Sequence, residues 1–304
     1  MLTQPECLPC IIDDLWGAIK VEIPEISTQW EIWQEALQWL ATQPLSQKVP
    51  SYFITGVHRL FKKISGISFP FQERRNNANR LGQELAYQVE KEACGIDEFS
   101  RFSLYLRIAV AANSLDFRTA GLGYESSLEE LKRNLLQSSQ NLAVNQIQEI
   151  YSHCQGISRI LYIHDNVGEI ALDKLLIRAL KMEGKKVVSA VRGGPITSDV
   201  VLEDAQAVGL EEVAERIIIA GPDTLGISFE EMSGEMLQEI YSTQLIIAKG
   251  QANFYSFSEY HARIPSPIVC LFRTKCDPVA HLFGKNGAIN IACLLPYLEQ
   301  KKSS

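Results

Sequence analysis

The chain contains no apolar run that approaches the ~20 residues a membrane-crossing helix needs. Its first residues, Met1 to Pro9, carry no basic stretch followed by an apolar core. We therefore expect neither a membrane partner nor a secretory leader. Positive charge is also short: 29 Lys and Arg stand against 36 Asp and Glu, a net charge of -7 with a pI near 5.4. Non-specific nucleic-acid binding needs a basic footprint, so no nucleic-acid partner is expected. A phosphorylated small molecule stays open, because a local cationic pocket fits inside an acidic protein. The seven cysteines are odd in number and widely scattered, which argues against a disulfide framework and for a reducing, cytoplasmic setting. Internal repeats, low-complexity segments and His-x-x-x-His spacing are missing too. Nothing in the pattern sets an oligomeric state.

What is present is a globular composition, 46% hydrophobic and 21% charged, in two textures. From Thr28 to about Gly156 the pattern is helical. Trp30, Trp33, Leu37 and Leu40 follow the spacing of one helix face. Further helices are expected over Tyr52–Ile64, Asn76–Ala93, Ser100–Ala112 and Leu128–Cys154. From Ser158 the pattern becomes strand, helix, strand. Strands are expected at Arg159–His164, Lys186–Arg192, Arg216–Ala220, Gln244–Lys249 and Pro267–Arg273. They are rich in Ile and Val and bounded by Gly or Pro, as buried parallel strands are. Helices at Ile170–Met182, Leu202–Val208, Phe229–Tyr241 and Phe254–His261 fall between them. The expected fold class is α/β: a three-layer α/β/α, doubly wound, mainly parallel sheet (157–304) preceded by an all-helical domain (1–156).

In such sheets ligands bind beyond the carboxyl ends of the strands, and polar groups collect there. The first strand runs into Asp165, Asn166 and Glu169. A carboxylate beside an amide carbonyl offers hard oxygen ligands suited to Mg²⁺ or Mn²⁺. Asp199, about one βαβ step later, would add a second carboxylate. Each also has a plain reading as a helix cap. The fourth strand ends in Lys249-Gly250-Gln251-Ala252-Asn253, a lysine and a glycine opening a helix, as a phosphate cradle would. The fifth ends in Arg273-Thr274-Lys275, where Lys275 is either a second phosphate-directed charge or a solvated lysine. In the helical half, Asn113 and Asp116 share a helix face and either close the site from above or end the helix. His164 precedes Asp165, so strand alternation turns it to the other face. Cys7 and Cys10 form a lone Cys-x-x-Cys, a weak zinc signal; Cys276 would complete a cluster, though nothing in the sequence brings the three together.

Taken as a set, His164-Asp165-Asn166-Val167-Gly168-Glu169, Ser198-Asp199-Val200, Lys249-Gly250-Gln251-Ala252-Asn253-Phe254 and Ala112-Asn113-Ser114-Leu115-Asp116 resemble the damage-control phosphatase family. That family was long filed as a domain of unknown function (89), and one branch is called acidic-residue-methyltransferase-like. Cys7-Leu8-Pro9-Cys10 looks like its Cys-x-x-Cys prokaryotic and archaeal branch. The resemblance runs from Cys7 to about Gly287. It implies a phosphatase for sugar phosphates or damaged phosphometabolites that uses Mg²⁺, Mn²⁺, Co²⁺ or Ni²⁺. By residue matching it implies Asp165, Asn166 and Asp199 as metal ligands, and Lys249, Gly250 and Lys275 at the phosphate. Asn113 and Asp116 would contribute from the helical domain. The chain departs from the usual pattern at Val167, Ala252 and Ala112; Ala252 is the change that would narrow the phosphate approach.

The expected activity is hydrolysis of a phosphomonoester. Asp165 is the central catalytic residue, Lys249 and Lys275 neutralise the transferring group, and Asp116 positions or deprotonates water. Glu169 and Asn253 are expected on the substrate side. Specificity is expected from the helical domain and from the loop Arg118–Tyr124. Two rival readings stand beside this one. A carboxyl methyltransferase using S-adenosylmethionine fits an open α/β sheet, but no Gly-x-Gly-x-x-Gly follows the first strand. A non-catalytic metabolite-binding module would keep the pocket without turnover.

Overall fold

Side chains on a strand point alternately to its two faces, and in this chain both sets are apolar, so the sheet must be covered on both sides. The computed structural model describes residues 1–116 and 128–296; the expected specificity loop Arg118–Tyr124 lies outside them. Five helices come first: α1 (Cys7–Glu22), α2 (Ile26–Thr42), α3 (Pro50–Ser65), α4 (Gln72–Glu92) and α5 (Glu98–Ala111). A 3-10 turn, Ala112–Leu115, extends α5. Then follow α6 (Leu128–Ser139), β1 (Leu142–Asn145), α7 (Ile147–Cys154), β2 (Arg159–Ile163), α8 (Glu169–Met182), β3 (Lys186–Val191), α9 (Leu202–Ala207) and β4 (Arg216–Ile219). The chain closes with α10 (Gly234–Ser242), β5 (Leu245–Lys249), α11 (Gly250–Tyr260), β6 (Ile268–Arg273), α12 (Asp277–Leu282) and β7 (Asn290–Leu295).

The seven strands form one sheet in the order β1-β7-β6-β5-β2-β3-β4. Pairing is parallel except between β6 and β7. Ile160, Tyr162, Leu245, Ile247, Val269 and Leu271 fill one core with α4, α5 and α8. Their neighbours Leu161, Ile163, Ile246, Ala248, Cys270 and Phe272 fill the other with α10 and α11. This is the expected mainly parallel α/β sheet with helices on both faces. The chain winds outward from β2 through β3 to β4, then returns to place β5 on β2's other side. The switch point therefore lies between the carboxyl ends of β2 and β5, where a ligand crevice forms. Among the described residues no helix is long and apolar enough to cross a membrane.

Five departures from expectation need correction. The helix expected over Leu128–Cys154 is broken: Leu142–Asn145 is a strand, inside the span expected to be all helix, because it pairs with β7 and extends the sheet. β7 itself was not anticipated. Helix α1 was not anticipated either, although Ile11, Leu15, Ala18 and Ile19 give it a buried stripe. The helix expected from Phe229 starts at Gly234, where the Ser233 hydroxyl accepts from the Met236 amide at 3.0 Å and caps it, while the helix expected from Phe254 begins already at Gly250.

Candidate functional site

Three loops meet at the switch point. After β2 the chain turns through Asp165, Asn166 and Gly168 into α8. The 165–167 turn runs beside 198–200: Val200 donates to the Asp165 carbonyl at 2.8 Å and Val167 to the Ser198 carbonyl at 2.9 Å, and Asn166 bridges Asp199. This brings the expected ligands Asp165, Asn166 and Asp199 together. Helix α4 closes the back of the turn. Gly82 lies so near that a Cβ would stand 2.2 Å from the Gly168 carbonyl oxygen, and Asn79 accepts from the Gly168 amide at 2.9 Å.

The floor is dense in buried charge. Asp165, Asn166, Asp199, Glu169, Lys249, Asn113 and Asp116 are all buried. Asn113 donates to Asp165 at 2.9 Å and to Glu169 at 2.8 Å, and its carbonyl accepts from the Arg273 amide at 3.1 Å. The 3-10 turn after α5 is thereby tied to the ends of β2 and β6. Lys275 pairs with Asp116 at 2.6 Å; the Asp116 carboxylate also lies 2.7 Å from the Ser198 hydroxyl. Lys249 is held between Glu169 (2.8 Å) and Asp173 (3.1 Å). Arg192 contacts Asp199 at 2.9 Å.

Five carboxylates, of Asp116, Asp165, Glu169, Asp173 and Asp199, thus share the floor with the three cations Lys249, Lys275 and Arg192. Carboxylates outnumber cations by two. Their strain falls on Asp165, whose carboxyl is pushed well above the usual range by burial and then by the charges of Glu169 and Asp199. Burial also raises Asp199, against the pull of Arg192. Burial would lower both lysines, but the surrounding carboxylates more than offset it and both are raised.

This donor set fits a hard divalent cation. No hydrogen bond from a described residue reaches Asp165 Oδ1, since both bonds to Asp165 fall on Oδ2. Asp199 Oδ1 has only a long contact, 3.4 Å, with Thr197. The Ser198 hydroxyl lies 2.7 Å from both Asn166 Oδ1 and Asp116, and with one proton it serves one of them at a time. Gly250 leaves the needed space: at φ +80° its missing Cβ would stand 1.9 Å from Asp165 Oδ2. No group of three or more His, Cys, Asp or Glu side chains with metal-holding geometry occurs among the described residues. The candidate is therefore two carboxylates and an amide. Cys7 and Cys10 do come within electrostatic reach of Cys276, but this trio is no such group.

A sequence profile of the damage-control phosphatase ARMT1-like domain matches residues 3–289. The chain belongs to that family. It is 32% identical to an uncharacterized protein of Methanocaldococcus jannaschii, over 95% of this chain and 94% of the relative. It is 27% identical to a damage-control phosphatase of Archaeoglobus fulgidus, over 94% and 96%. The crystal structure of a DUF89 family protein from Pyrococcus horikoshii superposes with a TM-score of 0.85 at 25% identity, covering 96% of this chain and 99% of that one.

Ten site residues were expected from the sequence, and the fold divides them evenly. Asp116, Asp165, Asn166, Asp199 and Lys275 line a cavity of about 520 Å³. Asn113, Glu169, Lys249, Gly250 and Asn253 form the layer behind it. Asn253 donates to the His164 and Lys249 carbonyls at 3.2 and 2.7 Å and accepts from Arg192 at 3.1 Å. His164 faces away, bonded to Asp173 and Ser189 at 3.0 and 3.2 Å. Two arginines were missed. Arg75 of α4 is wholly buried and donates to the Thr197 and Asp199 carbonyls at 3.1 and 2.6 Å, with Asp204 as its ion-pair partner. Arg192 ends an apolar strand just before Gly193-Gly194, and a charge in that place was a readable signal. A second cavity, of about 360 Å³, lies between α3 and residues 224–231. Of its charged groups, Lys48 pairs with Glu230 and Arg59 with Glu231, and no buried carboxylate faces it.

Proposed function

We propose that this chain is a divalent-metal-dependent phosphatase that hydrolyses phosphomonoesters of small metabolites. The observation that carries the reading is the excess of carboxylates over cations at the switch point, where Asp165 and Asp199 face a cavity that also presents Lys275. A neutral ligand would leave that charge unrelieved, and a bare anion would add to it. A cation with a phosphate behind it satisfies both walls. The relatives' names point the same way.

Asp165, Asn166 and Asp199 would hold the metal, which when bound supplies Lewis-acid polarisation of a phosphoryl oxygen. The chain's own residues do the rest. Lys275 faces the cavity and neutralises charge on the transferring group. Asp116 holds Lys275 in place and stands beside Ser198, where it can take a proton from an attacking water. Lys249 does not line the cavity; it compensates Glu169 and Asp173, and so keeps Asn113 and Asn166 aimed at Asp165. The methyltransferase reading loses ground because α4 backbone covers the turn after β2, where a cofactor loop would be.

The test is phosphate release by metal-stripped protein from p-nitrophenyl phosphate and a sugar-phosphate panel, with Mg²⁺, Mn²⁺, Co²⁺ or Ni²⁺ restored in turn. We expect metal-dependent turnover that falls at least about 10²-fold in Asp199→Asn, on the scale of losing one preorganised electrostatic group. Metal should also raise the melting temperature of the wild type and not of the variant. Turnover in the chelated protein equal to that with metal would refute the reading.

A further inference from the structure

The cavity has an outer wall that the proposed chemistry does not use. Helix α1 lays one stripe along it, with Asp13, Asp14, Gly17 and Lys20 at helical spacing, and α4 adds Arg74. Most described lysines and arginines have an ion-pair or hydrogen-bond partner. Lys20 and Arg74 have none among the described residues. The acids on this wall do not absorb them: Asp14 is engaged by His58 at 2.6 Å, and Asp13 is paired with neither. Nor do they pair with the floor, whose carboxylates are met by Lys275, Lys249 and Arg192.

Position adds to the case. Arg74 is next to Arg75, whose guanidinium is bound to the Thr197 and Asp199 carbonyls, so the backbone carrying Arg74 is fixed to the metal-binding loop. Lys20 lies in the last turn of α1, one turn after Gly17, which also lines the cavity. Both cations therefore border the same 520 Å³ cavity as Asp165 and Lys275, a size within the range of small-molecule sites.

We propose that the substrate of this site is a phosphomonoester whose leaving group carries a second anionic group, a carboxylate or a second phosphate, held by Lys20 and Arg74 while the scissile phosphate lies against Lys275. This rests on the phosphatase reading above and sharpens it. A planar guanidinium beside an ammonium suits either anion. A sugar phosphate with no second anionic group would leave both cations without a partner.

The experiment uses the full chain and two matched pairs of substrates: fructose 6-phosphate with fructose 1,6-bisphosphate, and glycerol 3-phosphate with 3-phosphoglycerate. In the wild type kcat/KM should be at least about tenfold higher for the doubly anionic member, as one charge-assisted hydrogen bond provides. The pair with the larger preference identifies the anion. In Lys20→Met and Arg74→Met the loss should fall on KM, and be about tenfold greater for the doubly anionic member than for its partner. Calorimetric binding of propylphosphonate and 3-phosphonopropionate to the same proteins supplies a readout without turnover. A preference for the doubly charged ligand that depends on Lys20 and Arg74, without phosphate release from any ester, would keep this inference and sink the phosphatase reading. Phosphate release with no preference in either assay, or equal losses for both members of a pair, would overturn this inference alone.

Discussion

On the cavity floor Asp165 and Asp199, and in the layer behind it Glu169 and Lys249, are buried and locked to neighbours; across from them, on α1 and α4, Lys20 and Arg74 stand at the rim with no partner among the described residues. The inner wall is made of strand ends from a rigid sheet, the outer wall of helix faces laid over it. Buried charges are tolerable only when geometry fixes them, so the inner wall is where an ion and a phosphoryl group can be held in one orientation. Rim charges keep their hydration and cost almost nothing to retain, so they are free to discriminate among leaving groups. Reaction and choice of substrate are thereby assigned to different elements.

The comparison breaks most severely at Arg75, the strut between the walls. Its guanidinium joins α4 to the 197–199 loop and neutralises Asp204. Arg75→Met removes one partner of a buried pair and should cost about 3–5 kcal/mol. Urea denaturation would read this as a lower midpoint with an unchanged slope. A loss below about 1 kcal/mol, the scale of an exposed pair, would mean that the two walls do not depend on each other.

Gly250→Ala strikes the inner wall alone. The added Cβ would overlap Asp165 Oδ2, and the backbone holds φ +80° there. The left-handed conformation costs a non-glycine residue about 1–2 kcal/mol, and the displaced carboxylate should take metal-induced stabilisation with it. Thermal melts with and without Mn²⁺ separate the two effects. An alanine variant that melts as high as the wild type and still gains on adding metal would show that Asp165 has room to move.

Much of this was legible in the sequence, for reasons visible in individual residues. Five of the seven strands announce themselves as short Ile- and Val-rich runs closed by Gly, Pro or a polar pair, because both their faces are covered. Asp165, Lys249 and Lys275 stand out because each ends such a run. β1 escapes notice because Leu142-Ala143-Val144-Asn145 is short and its neighbours carry helix-spaced leucines; only pairing with β7, at the far end of the chain, makes it a strand. Arg75 and Asn79 are hidden for the same reason. They sit on a polar stretch of α4, and the carbonyls and carboxylate they bind lie more than 120 residues away in sequence. Lys249 shows the converse limit: its place after a strand was readable, but whether it faces the cavity or the layer behind depends on Asp173, which nothing local connects to it.

The gentlest change sharpens the comparison from the side of charge. Asp165 titrates well above its usual range because burial, then Glu169 and Asp199, disfavour its ionised form. The unfolded chain gives up that proton near pH ~4. Between there and the raised folded value, the native state holds a proton that the unfolded state lacks, so metal-free stability falls as pH rises through this window. Asp165→Asn keeps the Oδ acceptor for Asn113 and Asn166 and removes the charge. Near neutral pH the metal-free variant should be more stable than the wild type, and should lose most of the fall in stability with pH. Mn²⁺ should reverse the order, since metal binding needs the ionised carboxylate and its affinity rises with pH. Neither change should appear in Lys20→Met, whose charge is already in water. A metal-free Asp165→Asn protein less stable than the wild type would mean that the floor's negative charge is balanced by the chain itself, and the case for a cation there would go with it.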